Sequence, residues 1–255
     1  MPMWPTRRAL RVWSRNLESW KRFALSFVAA ALGQPVFYLL AMGYGLGRYV
    51  APIAGVPYAV FLTPGIIATA AMNTASFETT FGSFTRMSEQ HTYAAILATP
   101  CSVADIVGGD VLWAASKSVL SAGAVLLLTA LAGLVPSPTA VLLLPVAFLT
   151  GLVFAALGMI ATSRAGSYDF FNYYFTFAIS VMMFVSGVFF PAESLPAPAR
   201  ALAWFMPLTH AVTVCRALAA GTLDVGVVGD LLWLAVAAAA AFAVAERLVR
   251  RRLLV

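Results

Sequence analysis

The stretch SVLSAGAVLLLTALAGLVPSPTAVLLLPVAFLTGLVFAALGMIATS, Ser118–Ser163, runs for 46 residues without an Asp, Glu, Lys or Arg. A helix that crosses a bilayer needs about 20 apolar residues, so this stretch is too long for one crossing. The tripeptide PSP at residues 136–138 is typical of a turn. We therefore expect two antiparallel transmembrane helices, at residues 111–135 and 139–161.

The rest of the chain has the same apolar character. Of its 255 residues, 62% are hydrophobic and 10% are charged, whereas a soluble domain is about 25% charged. This composition excludes a soluble enzyme, a disordered chain and a fibrous repeat. It predicts one all-α polytopic membrane domain over residues 1–255. Further apolar runs bring the expected number of transmembrane helices to six, and these runs cover residues 23–47, 58–79, 170–190 and 228–246.

The basic residues indicate how the chain is oriented. Six of the 16 Lys and Arg residues lie in the first 22 positions and four lie at the end of the chain. With both termini inside, the cytoplasmic segments carry 12 basic residues and the outer segments carry three, as the positive-inside rule requires. We expect a multi-pass membrane protein with cytoplasmic termini. No basic platform for nucleic acid remains.

Residues 1–22 have the pattern of an amphipathic helix along the cytoplasmic leaflet. Leu10, Trp13, Leu17 and Trp20 recur at steps of three and four residues, arginines occupy another face, and Thr6 is the expected cap. Such a helix either anchors the chain to lipid or also contacts a cytoplasmic partner.

Two connections are informative. Residues 191–230 form an extracytoplasmic segment broken by prolines, whose stretches 199–206 and 208–220 are too short to span, so a re-entrant or interfacial pair is expected. Residues 81–104 form the longest cytoplasmic connection, with an expected helix at 85–97. A mixed polar and apolar helix suits docking to another protein, and a simple loop is the alternative.

Aromatic residues are dense at the start of the fifth predicted span. They form either an interfacial belt or the lining of a path for an amphiphile, since aromatic faces pack against sugars and acyl chains. The candidates for such a substrate path are Tyr168, Phe171, Tyr173, Tyr174 and Phe177. Gly151, Ala155 and Gly158 in the fourth span serve either packing within the chain or a dimer seam.

Few charges fall within the spans. Asp110 and Lys117 are seven residues apart and share a helix face, with Asp105 nearby. They form either a proton or ion relay or a structural pair at the interface.

Several catalytic signatures are missing from the sequence. Neither of the two lysines follows a glycine, so the phosphate-binding loop of P-loop ATPases is absent. The two histidines are predicted on opposite sides of the membrane, as are the two cysteines, so neither a disulfide nor a metal site is expected.

Seven short motifs together resemble the type-2 permeases of ATP-binding-cassette exporters, and among them the membrane subunit of rhizobial nodulation lipo-oligosaccharide exporters. The motifs are FETT at 77–80, FTRM at 84–87, ADIV at 104–107, WAASK at 113–117, SYDFF at 167–171, SGVFFP at 186–191 and PLTH at 207–210.

The resemblance implies a permease homodimer in the membrane, with two copies of a separate ABC ATPase that binds ATP and Mg²⁺. This chain then binds no cofactor, is not itself an enzyme, and exports an amphiphilic glycolipid or lipo-oligosaccharide. Related permeases carry drugs or polysaccharides. The resemblance also implies an ATPase-coupling helix that contains Arg86, Glu89, Gln90, His91, Tyr93, Ile96 and Leu97.

Two other classes of function stay open. A membrane-embedded lipid-modifying enzyme would have to use Asp105, Asp110 and Lys117, the only titratable groups that converge at the interface. A secondary carrier is disfavoured because carboxylates near the bilayer centre are missing.

Overall fold

The computed structural model describes residues 4–53, 55–222 and 224–254, and in these residues the chain is helical throughout apart from its turns. The predicted all-α polytopic membrane fold is confirmed. The helices are α1 (Ala9–Lys21), α2 (Ala24–Tyr38), α3 (Tyr58–Phe77), α4 (Thr92–Leu97), α5 (Val103–Leu131), α6 (Leu143–Arg164), α7 (Asp169–Tyr173), α8 (Val181–Val185), α9 (Ala197–Trp204), α10 (Pro207–Ala220) and α11 (Val225–Leu253).

Several helices continue through π-helical segments, in which the hydrogen bonds join residues five apart. Such segments follow α2 at Leu39–Gly45, follow α3 at Glu78–Gly82 and Thr85–Glu89, and join α7 to α8 at Tyr174–Ser180. Each of them prolongs a helix rather than ending it.

Five continuous helices are long and apolar enough to cross a membrane, and the count rises to six if a bent pair is one span. They correspond to five of the six predicted spans. The five are Ala24–Arg48, Tyr58–Glu89, Val103–Leu131, Pro138–Arg164 and Val225–Leu253.

The extent of the remaining predicted span, residues 170–190, is wrong. The helix there covers Asp169–Val185, and its 17 residues would reach about 25 Å at 1.5 Å per residue, less than the bilayer core. It ends because the chain turns at Gly187, whose φ is +76°, and Val188 and Phe189 then enter the core.

The bent pair is α9 and α10, which meet at 85°. The corner lies at Pro207, which begins α10 where a missing N–H costs nothing. Thr209 Oγ1 donates to the Ala203 carbonyl at 2.6 Å and closes the corner. The two short helices expected in residues 191–230 are therefore present, while the depth and the side of the pair in the membrane stay a prediction.

The core is built around α3, which is buried along nearly its whole length against α5, α6 and α10. Small residues permit this packing. A Cβ at Gly151 would lie 2.8 Å from Ala115 Cα, and one at Gly158 would overlap Thr79 Oγ1. These glycines of α6 thus serve contacts within the chain.

The amphipathic helix α1 packs on the N-terminal half of α5. Ala9, Val12 and Asn16 are buried, whereas Leu10 of the predicted apolar face is 57% exposed. A Cβ at Gly109 would lie 2.5 Å from Val12 Cβ, so this contact requires glycine.

The predicted cap of α1 is wrong. The N-cap of α1 is Arg8, which makes no side-chain capping bond. Thr6 instead donates from its backbone N–H and its hydroxyl to Asp105 Oδ1, both at 2.7 Å. Thr6 therefore ties the start of α1 to α5.

The predicted helix at 85–97 is also wrong. The helix that begins at Tyr58 continues to Glu89, and the chain then reverses at His91, whose φ is +50°. The separate helix α4 follows at Thr92–Leu97. Gln90 and His91 therefore interrupt the helix, and α4 is a separate element.

Candidate functional site

A buried network of four charges lies where α1 and α4 meet the long apolar helices. Arg86 donates to Glu78 Oε1 at 2.9 Å and to Asp110 Oδ2 at 3.2 Å, and Lys117 donates to Glu78 Oε2 at 2.7 Å. All four side chains are at most 15% exposed. Two carboxylates and two cations balance, which is the condition under which buried charges are tolerated.

Asp110 and Lys117 do not pair with each other. Each is bonded to a residue that α3 contributes through its π-helical continuation, Arg86 for Asp110 and Glu78 for Lys117. Sequence reasoning missed Glu78 because its partner Lys117 lies 39 positions away. One feature of the sequence could have indicated Glu78: it lies eight residues before Arg86, which places the two side chains on similar sides of one helix.

Asp110 joins four elements of the structure. Its Oδ2 accepts from Tyr93 of α4 at 2.5 Å and from Ser83 at 2.9 Å, as well as from Arg86. Its Oδ1 accepts from Asn16 Nδ2 of α1 at 2.7 Å. The carboxylate therefore holds α1, the end of α3, and α4 against α5.

Tyr93 is the point at which α4 enters this network. Its side chain is fully buried, and burial raises the pKa of its phenol well above the ordinary value, with the Asp110 charge adding to the effect. The phenol stays protonated near neutral pH and donates to Asp110.

The seven residues expected to couple to an ATPase divide into two groups. Arg86 and Tyr93 are buried in the network, which corrects the expectation that they lie on a docking surface. The other five are exposed or half-buried, namely Glu89, Gln90, His91, Ile96 and Leu97.

A groove of about 560 Å³ lies between α1 and α4. Arg8, Arg11 and Arg15 line it on the α1 side, and Ala95 and Ile96 line it on the α4 side. We call this the docking groove. Its basic and apolar residues form one surface made by both helices.

Asp105 belongs to a different local structure. It forms a capping box with Ser102 at the start of α5, accepting from the Ser102 N–H at 2.9 Å and hydroxyl at 2.7 Å. Together with the bonds from Thr6, these contacts occupy both carboxylate oxygens. Asp105 is therefore a structural residue and does not converge with Asp110 and Lys117.

A second groove, of about 480 Å³, lies mainly between α2, α3 and the α7–α8 helix. We call it the chain groove; its lining includes Phe27, Ala30, Gln34, Asn73 and Ile179. Asn73 Nδ2 donates to Gln34 Oε1 at 3.2 Å on its surface. Polar pairs exposed to lipid are costly, so this face suits a transport path or a protein contact.

The aromatic run of the fifth predicted span does not act as one lining. Phe171 is fully buried and packs on Phe81 and Phe84, with ring centroids 5.0 and 5.4 Å apart. The helical period places Tyr173 and Phe177 on the opposite, exposed side.

The other two aromatic candidates are also outside the chain groove. Tyr168 stacks on Phe81 at a centroid distance of 6.2 Å, and Tyr174 is half-buried. On this helix the groove is lined instead by Phe175, Ile179, Ser180 and Met183, which sequence reasoning missed.

These features define a multi-pass membrane protein in which α1 and α4 are bonded to the long apolar helices. The model of the ABC-2 type transporter family matches residues 8–219, and the chain belongs to this family. Membership implies a partner ABC ATPase subunit.

The chain is similar to several proteins named nodulation protein J. It is 40% identical to that of Rhizobium leguminosarum bv. viciae over 245 residues, 96% of this chain and 95% of the relative. It is 38% identical to that of Rhizobium meliloti, covering 96% and 94%, and 31% identical to that of Azorhizobium caulinodans, covering 80% and 81%. No solved structure matches the chain.

Proposed function

We propose that this chain is the permease subunit of an ATP-driven exporter that moves an amphiphilic glycolipid or lipo-oligosaccharide out of the cytoplasm. ATP and Mg²⁺ bind to a separate ABC ATPase. The observation that carries this proposal is the likeness to nodulation protein J along 96% of the chain. The sequence of the permease supplies no phosphate-binding loop of its own.

The docking groove is the proposed seat of the ATPase. Its arginines come from α1 and its apolar residues from α4, so a partner helix with an acidic and apolar surface would contact both at once. The exposed Glu89, Gln90 and His91 border the turn into α4. We assign them, with Ile96 and Leu97, to this contact.

We propose that Tyr93 and Asp110 transmit movement of the ATPase to the membrane-spanning helices. When the ATPase displaces α4, the force acts on the hydrogen bond between Tyr93 and Asp110. Asp110 is also hydrogen-bonded to Arg86 and Asn16. Movement of α4 must therefore displace the ends of the spans or break a buried hydrogen bond to a charge. Arg86 and Tyr93 act here as positioning residues inside the bundle.

A second copy of the permease is proposed to face the chain groove. α2 is the least enclosed of the first four long helices, with 11% of its apolar window buried. Its exposed Phe37 and the exposed Tyr173 and Phe177 lie on helices that border this face. In a homodimer the two chain grooves would face a shared path through the inner membrane, with both termini cytoplasmic.

A lipid-modifying enzyme is less well supported. Asp105 and Asp110 are at most 1% exposed and their oxygens accept several bonds each. An acid or base must reach the proton it transfers, and these carboxylates are enclosed. A drug or polysaccharide permease differs from the proposal only in its cargo.

The first experiment is purification of the chain from its host in mild detergent, followed by mass spectrometry of the co-eluting proteins and an ATPase assay. We expect a P-loop subunit in equal stoichiometry and vanadate-sensitive hydrolysis. Elution of the chain alone under several detergents would refute the permease proposal.

A matched pair of variants tests the docking groove. Arg11→Glu places an acid in the groove and should reduce recovery of the ATPase at least tenfold. Arg22→Glu makes the same change at an exposed position of the same segment outside the groove and should retain the partner. Equal recovery in both variants would remove the docking assignment.

A further inference from the structure

Resting on the proposed function, we propose that one amphiphile binds each permease at the cytoplasmic leaflet, with its hydrogen-bond-accepting headgroup in a cavity beneath α1 and its acyl chain in the chain groove. The cavity has a volume of about 590 Å³. We call it the head cavity; its lining includes Arg15, Ser19, Trp20, Phe81 and Gln90.

The head cavity and the chain groove lie side by side. Phe77 lines both of them. Glu78 of the head cavity is bonded to Lys117 of the chain groove at 2.7 Å. Trp20 of the head cavity packs against Phe27 of the chain groove with ring centroids 5.6 Å apart. A molecule at Phe77 can therefore occupy both spaces.

The two spaces differ in chemistry as the two ends of an amphiphile do. The head cavity combines aromatic walls with an arginine, a serine and a glutamine, a set that packs against sugar rings and donates to their oxygens. The chain groove is lined mainly by phenylalanine, alanine, isoleucine and methionine. Seven residues separate Phe27 from Gln34, so the groove extends about 10 Å along α2, much of one leaflet's acyl region.

Unused hydrogen-bond donors occur in the wall of the head cavity. Arg15 Nε, Arg86 Nε and Trp20 Nε1 are buried and have no acceptor among the residues that the structure describes. Each belongs to a residue that lines the head cavity. Buried donors without acceptors are unfavourable, and because these three atoms have almost no accessible surface, the donors that a headgroup can reach include the amide of the exposed Gln90 instead.

The charge of the head-cavity wall favours a headgroup that accepts hydrogen bonds. Glu78 is held between Arg86 and Lys117, so its charge is compensated. Arg15 donates to the neutral Asn16 at 2.7 Å and, although the Asp110 charge attracts it, it forms no ion pair among the described residues, which leaves a cation at the cavity. Phosphate oxygens of a lipid and hydroxyl or carbonyl oxygens of a glycolipid both meet this requirement.

The test uses the full-length permease in nanodiscs of dioleoylphosphatidylcholine and four variants at exposed positions. Ser19→Trp fills the head cavity, and Ser14→Trp is its control on the same helix, outside the cavity. Ala30→Trp fills the chain groove, and Ala29→Trp is its control one position away, outside the groove. Because all four positions are exposed, the fold should tolerate the new side chains.

The probes are tritiated palmitoyl-maltotriose, octyl-maltotriose and dioleoylphosphatidylglycerol. We expect Ser19→Trp and Ala30→Trp each to weaken binding of palmitoyl-maltotriose at least tenfold, while both controls stay within twofold of the parent. Ala30→Trp should also abolish the preference for the palmitoyl over the octyl chain. Equal effects in variant and control, or no effect in either, would overturn the two-part site.

The probes also distinguish the source of the ligand. Binding of palmitoyl-maltotriose that phosphatidylglycerol does not displace identifies a glycolipid as the occupant. The same variant pattern for phosphatidylglycerol alone identifies a resident membrane lipid. Co-purification of the ATPase, measured on the same variants, reports the proposed function separately, since it should persist when the site is blocked.

Discussion

Replacing Asp110 with Asn is expected to destabilise strongly the end of the bundle at which α1 and α4 pack. The side chain is fully buried, and three donors converge on its Oδ2, from Ser83, Arg86 and Tyr93. The amide removes the negative charge and leaves Arg86 to share Glu78 with Lys117. Removing one partner of a buried ion pair costs about 3–5 kcal/mol.

Thermal unfolding of the purified permease in nanodiscs measures this loss. At about 2–4 °C per kcal/mol for a chain of this size, the midpoint should fall by about 6–20 °C. Glu89→Gln is the control, because this carboxylate is exposed at the end of the helix that begins at Tyr58, and it should change stability by about 0.5 kcal/mol or less.

A double variant tests the electrostatic reasoning. Asp110→Asn combined with Arg86→Met leaves Glu78 paired with Lys117 and the network neutral. The loss of unfolding free energy in the double variant should therefore be smaller than the sum of the losses in the two single variants. A midpoint shift below 1 °C for Asp110→Asn, or full additivity in the double variant, would refute the assignment of Asp110 as the centre of the network.

Two further predictions follow from α1 and α4. Gly109→Ala places a methyl group 2.5 Å from Val12 Cβ, so α1 should detach from α5. Trypsin should then cleave after the arginines of α1 at least tenfold faster. The control Gly123→Ala, whose new methyl group would have its nearest neighbour at 3.4 Å, should leave the cleavage rate unchanged. Tyr93→Phe loses a bond to a charged acceptor, worth about 1.5–3 kcal/mol. Since burial raises the pKa of the folded phenol, parent stability should hold from pH 7 to 9 and fall above about pH 10, where unfolded tyrosine ionises. In chemical denaturation, the free energy of unfolding of the Tyr93→Phe variant should fall less steeply with rising pH than that of the parent.

The spans were predictable because their signal is local. Uncharged runs of about 20 residues identify membrane helices, and the turn at residues 136–138 separated two of them correctly. Their ends were less predictable. The helix that begins at Tyr58 continues to Glu89 through charged residues, because Glu78 and Arg86 are paired inside the bundle.

The candidate site could be predicted only in part. Asp110 and Lys117 stand out as charges in apolar surroundings, but their partners lie 24 and 39 positions away, and no periodicity of one helix reveals such a distance. The dense aromatic run gave no indication of which rings are enclosed. That depends on the neighbouring Phe81 and Phe84, which pack around Phe171.

The π-helical segments have a consequence for how the bundle can move. Segments of this kind lie in each of the three helices that border the chain groove, at Leu39–Gly45, Glu78–Gly82 and Tyr174–Ser180. A π turn contains more residues than an α turn, and each residue of an α-helix advances about 100° around its axis. Conversion of one such turn to α geometry would rotate the following part of the helix by a side-chain position without unwinding it. The wall of the groove could thus exchange the side chains it presents by a change of winding alone.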